Sequence, residues 1–215
     1  LGMFPVAWRN MADNVGQART LKPVILPPEA HHIHSITSAT LVGDGRQLAV
    51  VAGYLSSLMA DFMVRLSPRS TISGSTINRL PIPEFGPLEP FLIHRVLRLN
   101  ALTRAYSDLW EACFEPGFAE DEWTGGFAHS RRIPFSSVLP EWAGDTPRRT
   151  AADRRQAQVE IDAIVSLALG LSFDELSTIY RTQFSVLCGY DRKTYHYDAN
   201  GRLVPNSVLT IWRRK

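Results

Sequence analysis

The chain has little cysteine: two residues in 215, Cys113 and Cys188, in unrelated contexts. This excludes a disulfide framework and a cysteine-based zinc site, so we expect two buried thiols. Long apolar runs are also missing, because charged residues such as Asp61 and Arg95 interrupt them, and we expect no transmembrane helix. The start, LGMFPVAWRN, lacks the basic segment and long apolar run of a secretory signal. We therefore expect a soluble, cytoplasmic protein.

Catalytic and cofactor motifs are missing as well. The sequence contains no phosphate-binding loop, no glycine-rich loop after a strand, no nucleophile elbow and no Asn-Pro-Pro-Tyr-type tetrapeptide. His31, His32 and His34 are clustered but have no cysteine or carboxylate partner at ligand spacing, which favours polar strand or loop residues over a metal site. We expect no catalytic residue, no metal and no cofactor in this chain.

What the chain does have is a core-forming composition and many arginines. Hydrophobic residues make up 45% of it, enough for one domain or two small ones. The net charge is only +2, yet 20 of the 23 basic residues are arginine. The planar guanidinium suits bidentate contacts to phosphate or guanine, although an arginine-rich genome would give the same count.

The pattern predicts an α+β fold. Short strands near residues 8–10, 24–26 and 33–42 are expected to form a small sheet, packed on an apolar helix over residues 47–66. These elements define an α+β subdomain, residues 1–84. A mainly helical subdomain, residues 85–215, follows.

The second subdomain is predicted to open with a helix over residues 89–114, with Arg95, Arg98 and Arg104 on a solvated face. An irregular loop, residues 115–150, comes next because glycine and proline recur there. Further helices begin after Pro147 and at the capping box Ser172-Phe173-Asp174-Glu175, and a hairpin is expected over residues 195–204. The arginines near the start of the helix after Pro147 are candidates for an acidic partner: Arg148, Arg149, Arg154 and Arg155.

The segment Ser67 to Glu84 is rich in hydrogen-bonding groups and has no acidic residue before its last position. Short polar side chains and arginines around a flexible glycine suit an anionic ligand with many hydrogen-bonding edges, such as duplex DNA. A solvated connector is the other interpretation. The DNA-binding candidates are Arg69, Ser70, Thr71, Ser73, Ser75, Thr76, Asn78 and Arg79 in this segment, with Arg19 and Lys22 as phosphate contacts.

Several short blocks, in order along the chain, resemble the C-terminal specificity region of Eco57I/TaqI-like restriction-modification N6-adenine DNA methyltransferases, including the large methylase-like proteins of phage-defence systems. The blocks are Trp8-Arg9-Asn10, Gln17 to Leu21 with Ile25-Leu26-Pro27, Gly53 to Phe62, Ser75 to Pro83 ending in Leu-Pro-Ile-Pro, Arg154-Arg155, Glu160 to Ala163, Leu169 to Ser172 and Ile179 to Phe184.

The resemblance implies a target-recognition module that reads double-stranded DNA for a methyltransferase domain earlier in the same polypeptide. Because catalytic motifs are missing, we expect this chain to be a fragment that is not itself an enzyme, from an adenine-specific parent whose catalytic domain binds S-adenosylmethionine. The alternative is a module that docks another subunit of a defence complex through the aromatic residues of the 115–150 loop.

Overall fold

Three short strands near the N-terminus form an antiparallel sheet of order β2-β1-β3: β1 Pro5–Arg9, β2 Pro23–Ile25 and β3 Ile36–Thr40. This computed structural model describes residues 3–12, 16–41, 43–66, 70–124 and 134–213. In the register, Ala7 of β1 lies opposite Val24 on one side and Ser38 on the other. Successive residues at the centre of β1 are buried, so both faces of this strand are covered. The predicted sheet is confirmed.

The predicted helix over residues 47–66 is two helices, α1 Gly45–Ser56 and α2 Leu58–Leu66, bent by 61°. Ser57 makes the break, because its hydroxyl donates to Tyr54 O (2.7 Å) and accepts from Ala60 N (3.2 Å). The first amide of α2, Leu58 N, donates to Asp162 Oδ1 at 2.7 Å. Three backbone groups at the break, Tyr54 O, Leu58 N and Ala60 N, are thus satisfied. The prediction of one continuous helix was wrong.

The predicted helix over residues 89–114 is also divided. The helix α4 Glu89–Asn100 ends, a 3-10 turn follows at Arg104–Tyr106, and α5 Ser107–Cys113 continues the chain. Asn100 explains the end of α4: its Oδ1 accepts from Ile25 N of β2 at 3.0 Å, while its Nδ2 donates to Val96 O at 2.9 Å. The side chain that closes the helix therefore also satisfies an amide of the sheet.

Helices dominate the rest of the chain. The short helix α3 Gly74–Ile77 and 3-10 turns at Gly86–Leu88 and Pro116–Ala119 lie before residue 120. After the 115–150 segment come α6 Ala151–Ala168, α7 Phe173–Gln183, α8 Ser185–Lys193 and α9 Asn206–Trp212. The predicted Ser172–Glu175 capping box is present. The predicted hairpin is a tight turn at Gly201 (φ 74°) with one antiparallel bridge, Tyr197 to Leu203.

One large hydrophobic cluster joins the sheet to the helices. It contains Trp8 of β1, Leu55 of α1, Leu97 of α4 and Ile161 of α6. The arrangement is an α+β fold, and the two predicted subdomains contribute side chains to the same core. Their boundary at residue 84 stays a prediction.

No single helix among the described ranges is both long and apolar enough to cross a membrane; only α1 and α2 taken together, across their bend, would meet that criterion. Of the two cysteines, Cys113 is buried and Cys188 is half-buried, so the prediction of two buried thiols is correct for Cys113 alone.

Candidate nucleic-acid interface

Residues 70–79, which we call the hydroxyl loop, are fastened to the sheet by one buried residue. Ile72 is 1% exposed, its carbonyl accepts from Trp8 Nε1 at 2.9 Å, and its amide donates to Asn10 O at 2.6 Å. A further bond runs from Ala12 N to Ser70 O at 3.0 Å. The start of the loop thus extends the sheet beyond the end of β1, and its position is set by the core through Trp8.

Ser73 organises the middle of the loop. Its side chain accepts from Thr76 N and caps α3, and its Oγ lies 2.8 Å from Ser75 Oγ and 3.1 Å from Thr76 Oγ1. Serine is a favoured N-cap residue because it satisfies an amide that the helix leaves free. The result is a connected group of three hydroxyls on an ordered turn.

The loop presents most of its predicted contact residues to solvent. Thr76 is half-buried, and the exposed members are Ser70, Thr71, Ser73, Ser75, Asn78 and Arg79. Ser67, Pro68 and Arg69, which the sequence also placed here, lie outside the described residues. The chain leaves the loop through Leu80-Pro81-Ile82-Pro83 and returns to the core at Phe85, which is 4% exposed.

The other two predicted DNA contacts are placed differently. Arg19 forms an ion pair with Asp162 (Nη2 to Oδ2, 2.5 Å), donates to Ser56 O at 2.9 Å, and has a side chain only 12% exposed. Lys22 is exposed, and its Nζ donates to Gln17 Oε1 at 3.1 Å. In the described part of the chain, neither side chain bonds to the hydroxyl loop. Arg19 is committed to joining α1 and α6, whereas Lys22 is open to solvent.

The prediction that Arg95 and Arg98 lie on a solvated face is wrong, because these side chains are only 2% and 0% exposed. Arg95 donates to two carboxylates, Asp121 Oδ2 at 2.7 Å and Glu160 Oε2 at 2.6 Å, and Asp121 Oδ2 also accepts from His94 Nδ1 at 2.8 Å. Burial lowers the pKa of His94 to about 4 and that of Arg98 to about 9. These arginines fasten the segment after α5 to α4 and α6. Only Arg104 is exposed as predicted.

The basic group at the start of α6 also finds its partners inside the chain. Arg155 makes two bonds to Asp191 of α8, Nε to Oδ1 at 2.9 Å and Nη2 to Oδ2 at 2.5 Å. Arg154 donates to the carbonyls of Leu99 and Arg148, both at 3.0 Å. Arg148 and Arg149 precede the helix, which begins at Ala151, so they do not oppose its dipole. For Arg155, the acidic partner is Asp191 of the same chain.

The aromatic residues of the 115–150 loop turn inward where they are described. Phe118 and Phe135 are 1% and 0% exposed and lie against the His94 ring, with centroid separations of 4.4 and 4.3 Å. The Trp142 indole donates to Ala101 O at 2.9 Å. Phe127 lies outside the described residues. The buried rings anchor the loop and are not a free contact surface.

Sequence reasoning did not single out a basic group on the C-terminal helices. Arg192, Lys193, Arg202 and Arg213 are exposed, and Arg213 Nη2 donates to Lys193 O, which brings the ends of α8 and α9 together. The acidic residues between positions 185 and 213 are Asp191, which pairs with Arg155, and Asp198, which accepts from the amides of the following turn. This group could have been recognised in the sequence from the excess of basic over acidic residues after position 180.

Comparison with protein-family models, with curated proteins and with solved structures gives no match to this chain. A function can therefore be proposed only from the residues, their geometry and the sequence resemblance described above.

Proposed function

We propose that the chain binds double-stranded DNA through the hydroxyl loop. The observation that carries this proposal is an ordered, exposed row of hydroxyl and amide groups that ends in Arg79, with no acidic residue from position 70 to 83. An approaching phosphate would meet donors and one fixed positive charge, with no carboxylate in that stretch to repel it.

The chemistry of the side chains fits two kinds of contact. Serine and threonine hydroxyls bond to phosphate oxygens or to either groove edge, while Asn78 can pair with adenine and Arg79 with guanine in bidentate fashion. Hydroxyls near Ser73 would hold the loop against the backbone. At the end of α3, Asn78 would read bases, and Arg79 would contact guanine where one is in reach and a phosphate elsewhere.

The attachment of the loop supports a recognition role over a solvated connector. Three hydrogen bonds fasten its first residues to the sheet, and the Ser73 cap orders its middle. A surface that is ordered before it binds loses less conformational entropy on binding. A connector needs no such attachment.

The role in the parent protein follows from the resemblance to adenine methyltransferase specificity regions. The chain would determine the position on double-stranded DNA at which methylation occurs. A separate domain of the same polypeptide, dependent on S-adenosylmethionine, would act there. The methylation itself would be carried out by that domain. We propose other subunits of a phage-defence system as further partners of the parent protein.

A fluorescence anisotropy titration with a labelled random-sequence duplex tests the proposal. We expect Arg79→Ala to weaken binding at least about five-fold, the equivalent of about 1 kcal/mol. A charge removed from a phosphate contact should also lower the slope of log K against log salt by about 0.9.

Arg104→Ala is the matched control, because Arg104 is also an exposed arginine and lies on a 3-10 turn outside the loop. Its affinity should stay at the wild-type value. If the Arg79 and Arg104 variants lose the same amount, binding is a general charge effect and the loop assignment fails. A chain that captures a defence-complex subunit but shows no salt-dependent DNA affinity would favour docking instead.

A further inference from the structure

A cavity of about 480 Å³ lies between α6 and α7, away from the hydroxyl loop. One wall is α6, through residues that include Gln156, Val159 and Ala163, and the facing wall is α7, through Phe173, Leu176 and Ser177. A cavity of this volume is far larger than the packing voids of a protein interior, which seldom exceed a water molecule. The cavity therefore results from the spacing between α6 and α7.

Two features of the fold connect α6 to α7 on either side of the cavity. At one end residues 169–172 connect the helices through a tight turn at Gly170 (φ 74°), with a bond from Leu171 N to Ser166 O. At the other end Tyr180 Oη donates to Asp191 Oδ2 at 2.7 Å, and Asp191 also binds Arg155 of α6. This Arg155–Asp191–Tyr180 bridge fixes the distance between α6 and α7 while small side chains, such as Ala163 and Ser177, leave the space between them empty.

The charged groups that line the cavity are paired. Arg155 and Asp191 bind each other twice. Asp162 accepts from Arg19 Nη2 at 2.5 Å and from Leu58 N at 2.7 Å. A charged ligand would lose its hydration and find no free opposite charge, so the site favours an uncharged one.

The rim combines exposed apolar groups with two tyrosines. Phe173 is 78% exposed and Val159 is 41% exposed, so apolar surface is open to solvent at the mouth. Tyr195 and Tyr197 also line the cavity. Burial raises the pKa of both phenols, so they remain protonated at neutral pH. Among the described residues, no hydrogen bond engages either hydroxyl, and each can donate to or accept from a ligand.

We propose that this cavity binds a small, uncharged, largely apolar ligand of two or three fused or linked rings, with one polar edge facing Tyr195 and Tyr197. The volume is about three times that of a ~150 Å³ cavity that holds benzene, and it lies in the range of small-molecule sites. A peptide helix is a poorer fit, because helix-binding grooves are open at their ends, whereas here the Gly170 turn and the Arg155–Asp191–Tyr180 bridge connect the two walls. The site goes beyond the proposed DNA contact and does not depend on it.

The test is a titration of the chain with N-phenyl-1-naphthylamine. This uncharged amine carries one phenyl and one naphthyl group, and its fluorescence rises in apolar surroundings. Wild-type chain should bind one equivalent saturably. Val159→Trp, which places an indole at the mouth of the cavity, should weaken binding at least ten-fold.

Leu167→Trp is the matched control. Leu167 lies on the same helix, is 61% exposed and does not line the cavity, so this variant should bind like wild type. Because both substituted positions are exposed, both variants are expected to fold, which circular dichroism would check. Wild-type affinity in Val159→Trp, or no saturable binding by the wild-type chain, would overturn the proposal. Loss of a self-association in Val159→Trp, without probe binding, would assign the groove to a second copy of the chain and likewise overturn it.

Discussion

Replacing Asp162 should destabilise the chain more than replacing any exposed acidic residue, because this carboxylate connects three parts of the fold. It accepts from Leu58 N at the start of α2 and from the guanidinium of Arg19, which also binds Ser56 O at the end of α1. The Asp162 and Arg19 side chains are 5% and 12% exposed. Water therefore cannot replace the lost contacts readily.

The magnitude follows from what Asp162→Ala leaves behind. A nearly buried guanidinium loses its counter-charge and the Leu58 amide loses its acceptor. Removing one partner of a buried ion pair costs about 3–5 kcal/mol, so we expect the free energy of unfolding to fall by about 4 kcal/mol. Asp162→Asn keeps an oxygen for the Leu58 amide and should cost about 2 kcal/mol, the strength of a hydrogen bond to a charged group.

Urea unfolding followed by circular dichroism measures these changes. A double-mutant cycle of Asp162→Asn with Arg19→Met isolates the pair, and we expect a coupling energy of about 2 kcal/mol. The control is Glu89→Gln, since Glu89 and Arg46 form a 3.4 Å pair whose side chains are 39% and 31% exposed; it should cost at most about 1 kcal/mol. A coupling below about 0.5 kcal/mol would refute the ion pair as a structural connection.

Three further predictions concern the interior. Burial lowers the pKa of His94 to about 4 in the folded chain, whereas a histidine in the unfolded chain has a pKa of about 6.5. Between these two pH values the unfolded chain therefore binds one proton more than the folded chain. The free energy of unfolding should be greatest above pH ~6.5 and fall by about 3 kcal/mol as the pH drops to ~4; urea titrations at several pH values measure this. Gly53→Ala should cost about 1–3 kcal/mol in the same assay, since a Cβ there would lie 2.8 Å from Leu92 Cδ1 of α4. Burial raises the pKa of Cys113 to about 12, so mass spectrometry after iodoacetamide treatment should find Cys188 modified and Cys113 unmodified until the chain unfolds.

Each of these has a result that contradicts it. His94→Gln should flatten the stability profile between pH ~4 and ~6.5, and an unchanged profile would assign the dependence to another group. Gly53→Ala with wild-type stability would show that α1 and α4 can separate without cost. Alkylation of Cys113 as fast as that of Cys188 in the folded chain would contradict its burial.

The sequence predicted the fold best where local pattern decides. The apolar period predicted helical structure from position 47 to 66, and the Ser172–Glu175 capping box predicted the start of α7. The break at Ser57 could not be predicted from the period, because the Leu58 amide finds its acceptor in Asp162, 104 residues away. Helix ends that depend on distant side chains have no local signal.

Distant partners also explain why the predictions for Arg95 and Arg98 were wrong. Arg95 and Arg98 lie off the apolar seam of α4, so the pattern predicted solvent, yet Asp121 and Glu160 supply carboxylates from distant segments to bury Arg95. The polar character of the hydroxyl loop was readable from composition. Its attachment through Trp8 and Ile72, and the pairing of Arg19 with Asp162 across 143 residues, were not.

Amide hydrogen exchange of the chain with and without a random-sequence duplex tests most directly the proposal that the hydroxyl loop contacts DNA. We predict added protection in peptides that cover residues 70–79, and no change around Arg104. Protection confined to the C-terminal helices that carry Arg192 and Arg213, with the loop unchanged, would contradict the claim and move the DNA contact to that basic group.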